Sequence, residues 1–240
     1  MFTKKNKKAK RISKKKKEHS FDYIKNSLIR LFDIWLEFSK ENNISYSLMD
    51  GSLLGQKRSE KIITNDNDID IVIDLDGYNK LLNLRTKYPN FIILNSEIKK
   101  KVTKPQIILS NRFSKLRYDC NGNETNTQVD SCSFNGPLAR LTDKNYHIDI
   151  LGFNRNIFKL SKDLNYLYNR DNIERFDNIL IDCKFENRKC KCFKDELSHN
   201  FLVNIYGYKY LIPDSKNSCF YLKTGKKFDN RYHELCGKNY

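Results

Sequence analysis

The apolar residues of the chain recur at two different periods, and the change of period outlines the predicted elements. From Phe21 to Asn42 they fall three and four positions apart, which is the spacing of an amphipathic helix. From Ile44 to Met49 they alternate with polar residues, and from Ile69 to Ile73 they run almost unbroken, as strands do. The beginning of the chain is therefore predicted to form a helix followed by two strands.

The same patterns assign the rest of the chain. Asp50–Ser52 is predicted to be a turn before a short helix that begins at Leu53. The remaining predictions are helices at Gly77–Lys87, near Ser161–Asn169 and at Asp195–Tyr206, strands at Phe91–Leu94, Ile107–Leu109, Phe113–Tyr118 and His147–Phe153, a loop at 56–67 and a polar surface loop or insertion at 119–136. Helices that alternate with strands predict an α+β (mixed α/β) domain with a central mixed sheet flanked by helices.

Charge is concentrated at one end of the chain. The formal net charge is +16, and residues 1–19 hold ten Lys or Arg against one Glu, with few apolar residues. Such a segment cannot bury enough surface to offset its ordering entropy, so we predict a disordered basic tail. Nucleic acid and an anionic membrane are its candidate partners, and a solvated extension without a partner is the alternative. Residues 20–215 are predicted to form the domain, and 216–240 an extension that packs on it or is partly disordered.

No apolar run reaches the length of a transmembrane helix, and no signal-peptide core follows the basic start. We therefore expect a cytoplasmic protein, with the nucleus as an alternative because of the basic tail. The seven cysteines are an odd number, which favours free thiols in the absence of a signal. A structural zinc ion held by Cys183, Cys190, Cys192 and His199 is the alternative that we weigh against reduced structural cysteines.

The candidate chemistry lies in an acidic run that enters a strand. Asp68 and Asp70 are two positions apart, so in a strand their carboxylates share a face. Like charges so close repel each other unless a cation lies between them, and oxygen ligands suit Mg²⁺ or Mn²⁺. A solvated acidic turn is the other interpretation of this pair.

Two further features favour the metal site. Gly51 and Ser52 follow a strand at the start of a helix, where a phosphate can approach the backbone, although an ordinary tight turn would have the same residues. Downstream, Asp149 is a lone acid in an apolar strand, which is costly unless a metal or a hydrogen bond compensates it. His147 shares a face with Asp149, and we interpret it as a structural histidine in preference to a site residue.

The segments Asp50–Arg58 (DGSLLGQKR) and Asp66–Ile71 (DNDIDI) together resemble the LicD/fukutin family, which has the polymerase-β-like nucleotidyltransferase fold. His147–Leu151 resembles the family's later acidic strand, and Leu202–Gly207 resembles its C-terminal element. The resemblance covers residues 25–215. It departs from the family at Thr64-Asn65, where the family has Pro-Trp, and at Asn67, where it has a third acid.

The resemblance implies a phosphotransferase that moves a phospho-alcohol, such as phosphocholine or ribitol phosphate, from a CDP-linked donor to a glycan hydroxyl. It implies that Asp68, Asp70 and Asp149 hold Mg²⁺ or Mn²⁺, and that Asp149 could also take the acceptor proton. Ser52 and the backbone near Gly51 would hold the diphosphate. The remaining candidates for stabilising transition-state charge are basic residues: Arg58, Lys115 and Arg117.

Two other functions use the same residues. The first is a nucleotidyltransferase that transfers NMP from an NTP to RNA, protein or a small molecule, which the basic tail favours. The second is a non-catalytic relative that binds nucleotides or glycans. Paired carboxylates are costly to hold together without a cation, which argues against the second function.

Overall fold

The computed structural model describes residues 21–64, 66–110, 116–153 and 176–212. Four sequence predictions lie outside these ranges: the disordered tail at 1–19, Lys115, the helix near Ser161–Asn169 and the extension at 216–240.

The described residues form helices α1 to α4, strands β1 to β10 and two short 3-10 turns at Asn95–Glu97 and Phe176–Ile179. The helices are α1 (Phe21–Glu41), α2 (Asp50–Ser59), α3 (Leu75–Lys87) and α4 (Asp195–Tyr206). The strands are β1 (Tyr46–Leu48), β2 (Asp68–Ile73), β3 (Ile92–Leu94), β4 (Gln106–Leu109), β5 (Arg117–Tyr118), β6 (Glu124–Thr125), β7 (Ala139–Thr142), β8 (His147–Gly152), β9 (Leu180–Phe185) and β10 (Arg188–Phe193). None of the helices in the described ranges is long and apolar enough to span a membrane.

Six of the strands form one mixed sheet in the order β1-β2-β8-β7-β4-β3. β2 runs parallel to β8 and β3 parallel to β4, while the other neighbours are antiparallel. β9 pairs with β10, and β5 with β6, in separate two-stranded sheets. The predicted α+β class with a central mixed sheet is confirmed.

The core lies between the sheet and α1. This helix buries its apolar stripe against the sheet, and the ring of its Trp35 lies 5.7 Å from that of Tyr46 on β1. In β2, Ile69, Ile71, Val72 and Ile73 are fully buried, whereas the two acids at its start are partly exposed. Burial of this apolar run holds β2 in the middle of the domain and leaves the carboxylates at its N-terminal end.

The prediction for residues 50–67 is wrong in its boundaries. α2 begins at Asp50 and continues to Ser59, so the predicted turn at 50–52 and the first part of the predicted loop at 56–67 are helical. The helix ends where Glu60 adopts a left-handed φ of 57°. The polar residues 57–60 supply no apolar period, and the contacts that α2 makes with β2 decide the length of the helix instead.

Two strands near the end of the domain were not predicted from the sequence. β9 and β10 form a hairpin whose turn residues, Glu186 and Asn187, have φ values of 50° and 62°, as a tight hairpin turn requires. The alternating residues of β10 include two of the cysteines that we considered as zinc ligands. Interpreting those cysteines as possible ligands hid a period-two strand pattern.

The expectation of free thiols is also corrected. Cys120 is bonded to Cys132, and Cys183 to Cys192, while Cys190 is a buried free cysteine. The Cys190 Sγ atom lies 3.3 Å from that of Cys183, but His199 contacts the Tyr210 hydroxyl at 3.1 Å. In this disulfide form Cys183 and Cys192, two of the four candidate ligands, are not thiolates, and structural zinc remains an untested alternative.

Residues 119–136 are not simply a surface loop. They include β6 and the Cys120–Cys132 disulfide, and they bury Cys120, Cys132 and Phe134 in a second small core with Ile98, Val102 and Ile108. The predicted strand at Phe113–Tyr118 is confirmed only for Arg117–Tyr118, since residues 111–115 are outside the described ranges. Polar side chains, and not an apolar period, organise this segment, because Asp119 and Asp130 each accept several backbone N–H bonds.

Candidate active site

The strand register gathers polar side chains on one face at the centre of the sheet. Asp68 lies opposite His147, and Asp70 opposite Asp149, in the parallel pair of β2 and β8. On the next strand Arg140 lies opposite Asp149. Residues opposite one another in a sheet, and alternate residues of one strand, point to the same side. Five polar or charged side chains from three strands therefore meet on one face.

The start of α2 closes one side of this face. The Met49 N–H donates to the Asp70 carbonyl at 3.0 Å, and the Asp70 N–H donates to Ser52 Oγ at 2.9 Å. A side chain added at Gly51 would place its Cβ 2.9 Å from Asp66 Oδ2, so only glycine fits without moving that carboxylate. Ser52 is buried and fastens the helix to the strand, and its proposed contact with a diphosphate remains a prediction.

The site holds more carboxylates than the sequence predicted. Burial, followed by the charges of Asp68 and Asp149, raises the pKa of Asp50 to about 6. Burial and the charge of Asp68 raise the pKa of Asp66 to about 7. Desolvation, followed by the charges of Asp68, Asp50, Asp149 and Asp66, raises the pKa of Asp70 well above its ordinary value. Five acids therefore share a region whose electrostatics favour a bound cation.

Asp68 differs from its acidic neighbours. Burial opposes its ionisation, but the hydrogen bond and charge of His147, together with the charge of Arg140, outweigh burial and lower its pKa. The His147 Nε2 atom lies 3.6 Å from Asp68 Oδ2 and 3.9 Å from Asp149 Oδ1. Asp68 can therefore act as an anionic ligand although it is partly buried.

Asp68, His147 and Asp149 offer ligand atoms that all lie within 4.8 Å of one another. Asp70, which we predicted as the third ligand, lies beside Asp149 in the register, and its Oδ2 atom is 4.0 Å from the Cβ position at Gly51. One imidazole nitrogen and several carboxylate oxygens fit Mn²⁺ and related divalent ions. The structure thus brings His147, which we had interpreted as structural, into the candidate metal set.

Arg140 is a site residue that the sequence analysis missed. Its Nε and Nη2 atoms donate to Asp149 Oδ1 and Oδ2 at 2.5 and 3.0 Å, and the residue is only 4% exposed. A buried arginine in an apolar strand needs a partner, which is the signal that could have found it. A charged residue within an apolar strand was not detected here, because β7 was not predicted from the sequence.

The predicted basic residues are placed less centrally. The Arg58 Nε atom donates to the Tyr210 carbonyl at 2.6 Å, and burial lowers the pKa of Arg58 against the opposing effect of Tyr206. Arg117 donates to the carbonyls of Ser133 and Asn126 at 3.2 and 3.4 Å. Lys115 lies outside the described residues, and the roles of all three basic residues in charge stabilisation remain predictions.

A pocket of about 440 Å³ adjoins the acids on the same face. Val72, Leu138 and Leu151, each two positions along the chain from Asp70, Arg140 or Asp149, line it together with Phe201 and Ile205 of α4. Asp50 also reaches the pocket. Asp50 therefore stands at the edge of a cavity with both polar and apolar surface that can hold part of a small molecule.

An α+β domain with a central mixed sheet, in which clustered carboxylates lie beside the start of a helix, is consistent with a nucleotidyltransferase-type fold. The chain belongs to the LicD/FKTN/FKRP family, because the model of that family's nucleotidyltransferase domain matches residues 43–195. The resemblance inferred from the sequence is thereby confirmed, and membership of this family indicates a transferase. None of the curated proteins compared with the chain matches it.

Proposed function

We propose that the protein is a metal-dependent phosphotransferase that moves a phospho-alcohol from a CDP-linked donor to a glycan hydroxyl. The observation that carries the proposal is the group of five carboxylates on and beside β2 and β8, three of which have pKa values raised by burial and mutual repulsion. A divalent cation is the simplest partner for that much negative charge. Family membership supports the transfer class.

In this proposal the residues of the site have the following roles. Asp68, Asp70 and Asp149 hold Mg²⁺ or Mn²⁺, with His147 as a further ligand. A bound ion would supply positive charge for the phosphate oxygens and the leaving CMP. The Arg140 hydrogen bonds to both oxygens of Asp149 fix the direction of this carboxylate, and its role as a base for the acceptor hydroxyl remains a prediction.

Binding of the donor would combine polar and apolar contacts. The first N–H groups of α2 lack partners within the helix, and the helix dipole favours phosphate at this end. The pocket beside the acids gives the uncharged part of a donor an apolar surface. The donor alcohol and the glycan acceptor follow from the family resemblance alone.

The test is incubation of the purified protein with a panel of CDP-alcohols and NTPs in the presence of Mg²⁺ or Mn²⁺. Release of CMP from a CDP-alcohol, dependent on the ion and on a glycan acceptor, is the expected result. Release of pyrophosphate from an NTP would favour the alternative nucleotidyltransferase, which the net charge of +16 supports through attraction to nucleic acid. Metal-dependent binding without turnover would favour a non-catalytic relative.

The cytoplasmic location predicted from the sequence remains a prediction, and so does the nuclear alternative. The disulfides Cys120–Cys132 and Cys183–Cys192 weigh against both, because such bonds persist mainly in oxidising compartments. Thiol labelling of the protein in its native cell, with and without prior reduction, would decide between a reducing and an oxidising compartment.

A further inference from the structure

Residues 117–134 form a small body of their own beside the main sheet, which we call the stapled segment. The disulfide Cys120–Cys132 closes it, and its apolar side chains belong to the second core and not to the main one. Asn95 ties it to the domain, donating to the carbonyls of Tyr118 and Cys132 at 3.1 and 2.8 Å and accepting from the Tyr118 N–H at 2.8 Å. The segment is thus held at a fixed position.

One end of the stapled segment contacts Arg140. The Ser131 carbonyl accepts from Arg140 Nη1 at 3.2 Å, and the Phe134 ring lies under the guanidinium with its centroid 4.8 Å from the central carbon. Thr142, two positions along β7, donates to Ser131 Oγ at 2.8 Å. Ser131 and Phe134, which lie on either side of Cys132 in the sequence, therefore hold the guanidinium at one edge and one face.

The other side of the same guanidinium holds Asp149 through two hydrogen bonds, at 2.5 and 3.0 Å. A guanidinium is planar, so the direction of its bonds to Ser131 determines the direction of its bonds to Asp149. Because Arg140 is almost fully buried, it has little room to adopt another orientation. The position of the carboxylate thus depends on the position of the stapled segment.

We infer that Arg140 is a positioning residue that orients the Asp149 carboxylate for a divalent cation, and that the stapled segment sets the orientation of Arg140. This inference rests on the proposed function only in the assignment of Asp149 as a cation ligand. Hydrogen bonds to a ligating side chain from the surrounding residues commonly change metal affinity or activity about 10–100-fold. Loss of the Cys120–Cys132 disulfide, which lies outside the sheet, would therefore weaken binding of the cation.

A purely electrostatic role of Arg140 and a positioning role predict opposite changes in metal affinity for the same substitution, which makes the inference testable. If Arg140 acted only as a positive charge near the cation, Arg140→Met would tighten metal binding by removing repulsion. If Arg140 positions Asp149, the same substitution weakens binding in spite of the lost charge. Arg140→Lys keeps the charge and loses the fork of two hydrogen bonds, so it should weaken binding as well.

The experiment measures Mn²⁺ affinity of the full chain by electron paramagnetic resonance. We expect Arg140→Lys and Arg140→Met to weaken binding about 10–100-fold, and Phe134→Leu to weaken it less. The matched control is Arg188→Lys, since Arg188 makes the same two-bond contact with Asp33 on α1, at 2.6 and 2.9 Å. A folded Arg140→Lys or Arg140→Met variant with unchanged or tighter Mn²⁺ binding would overturn the inference, even if its thermal stability fell.

The contribution of the disulfide is tested in parallel. Cys120→Ala with Cys132→Ala should weaken Mn²⁺ binding, whereas Cys183→Ala with Cys192→Ala, which removes the other disulfide, should leave it nearly unchanged. Equal effects of the two pairs would refute the role of the stapled segment. If Arg140→Met does not fold, Arg140→Lys and Phe134→Leu carry the test.

A readout without metal separates this inference from the proposed function. A crystal structure of Arg140→Lys should show the Asp149 carboxylate turned from its wild-type direction, and an unchanged direction would overturn the inference. Wild-type protein that binds Mn²⁺ but turns over no CDP-alcohol would refute the proposed function and leave the inference standing. Wild-type protein that binds no Mn²⁺ would refute the cation role of Asp149, and the inference with it.

Discussion

The centre of the sheet carries Asp149, and the stapled segment contacts Arg140, which is bonded to Asp149, but different interactions hold the two regions in place. β2 and β8 are held by burial of an apolar run, so their acids are placed by strand register. The stapled segment has short strands and a small core, and it is held by a disulfide, by Asn95 and by hydrogen bonds to Asp130. A site can therefore depend equally on a regular element and on an irregular one that lacks a periodic pattern.

The sharpest test of the first region is Asp68→Asn. We expect turnover to fall about 10³-fold, because a bound metal contributes several kcal/mol to stabilising the transition state. The fold should remain, since Asp68 is at the partly exposed end of β2. Turnover and thermal unfolding are measured together, with Asp76→Asn on the exposed start of α3 as the control. A severe fall in unfolding temperature, or retained turnover, would show that Asp68 is not a site ligand.

The corresponding test of the second region is removal of its disulfide. Cys120→Ala with Cys132→Ala should lower the free energy of unfolding by about 3 kcal/mol, because the bond closes a loop in a segment with little regular structure. The Cys183–Cys192 bond joins strands already paired along their length, so its removal should cost less. Chemical denaturation of both double variants measures the difference. Equal losses would contradict the contrast between the two regions.

Sequence reasoning succeeded for the first region for a physical reason. Apolar alternation and two acids two positions apart determine which face Asp68 and Asp70 share, and the strand that carries Asp149 was equally clear. It failed for Arg140 because β7 is a short strand within a polar surrounding, and for His147 because its neighbours depend on register between distant strands. Disulfide pairing and side-chain bonds to the backbone have no period that a sequence can reveal.

A smaller effect is expected from the acids that surround Asp68. The pKa values of Asp50 and Asp66 are raised to about 6 and about 7, so the folded protein binds their protons more tightly than the unfolded chain does. The stability they contribute is complete below the unfolded value of about 4 and is lost as the pH rises through these folded values. Without metal, the protein should therefore become less stable between about pH 4 and pH 7.

Thermal unfolding across this pH range, with and without Mn²⁺, tests the prediction. Mn²⁺ should stabilise the protein most near neutral pH, where the acids are ionised. Asp66→Asn should reduce the slope of the metal-free profile, and Asp76→Asn should not. If the stability of the metal-free protein rose over the same range, burial and repulsion of these acids would not determine how stability depends on pH.

The smallest effect on chemistry is expected from deletion of residues 1–19, which lie outside the described part of the chain. The first helix of the described residues begins at Phe21, and neither the residues of the acidic site nor those of the stapled segment come from this tail. Deletion should leave turnover of a small acceptor nearly unchanged. It should weaken binding to an anionic membrane or nucleic acid and reduce the dependence of that binding on salt, because ten of the basic residues are removed.

Turnover and vesicle binding are compared at two salt concentrations. The matched control is a variant of full length in which neutral residues replace only these ten lysines and arginines. A large loss of turnover in both variants would mean that the tail contacts the substrate or the site. The tail would then contribute to the reaction together with the centre of the sheet and the stapled segment.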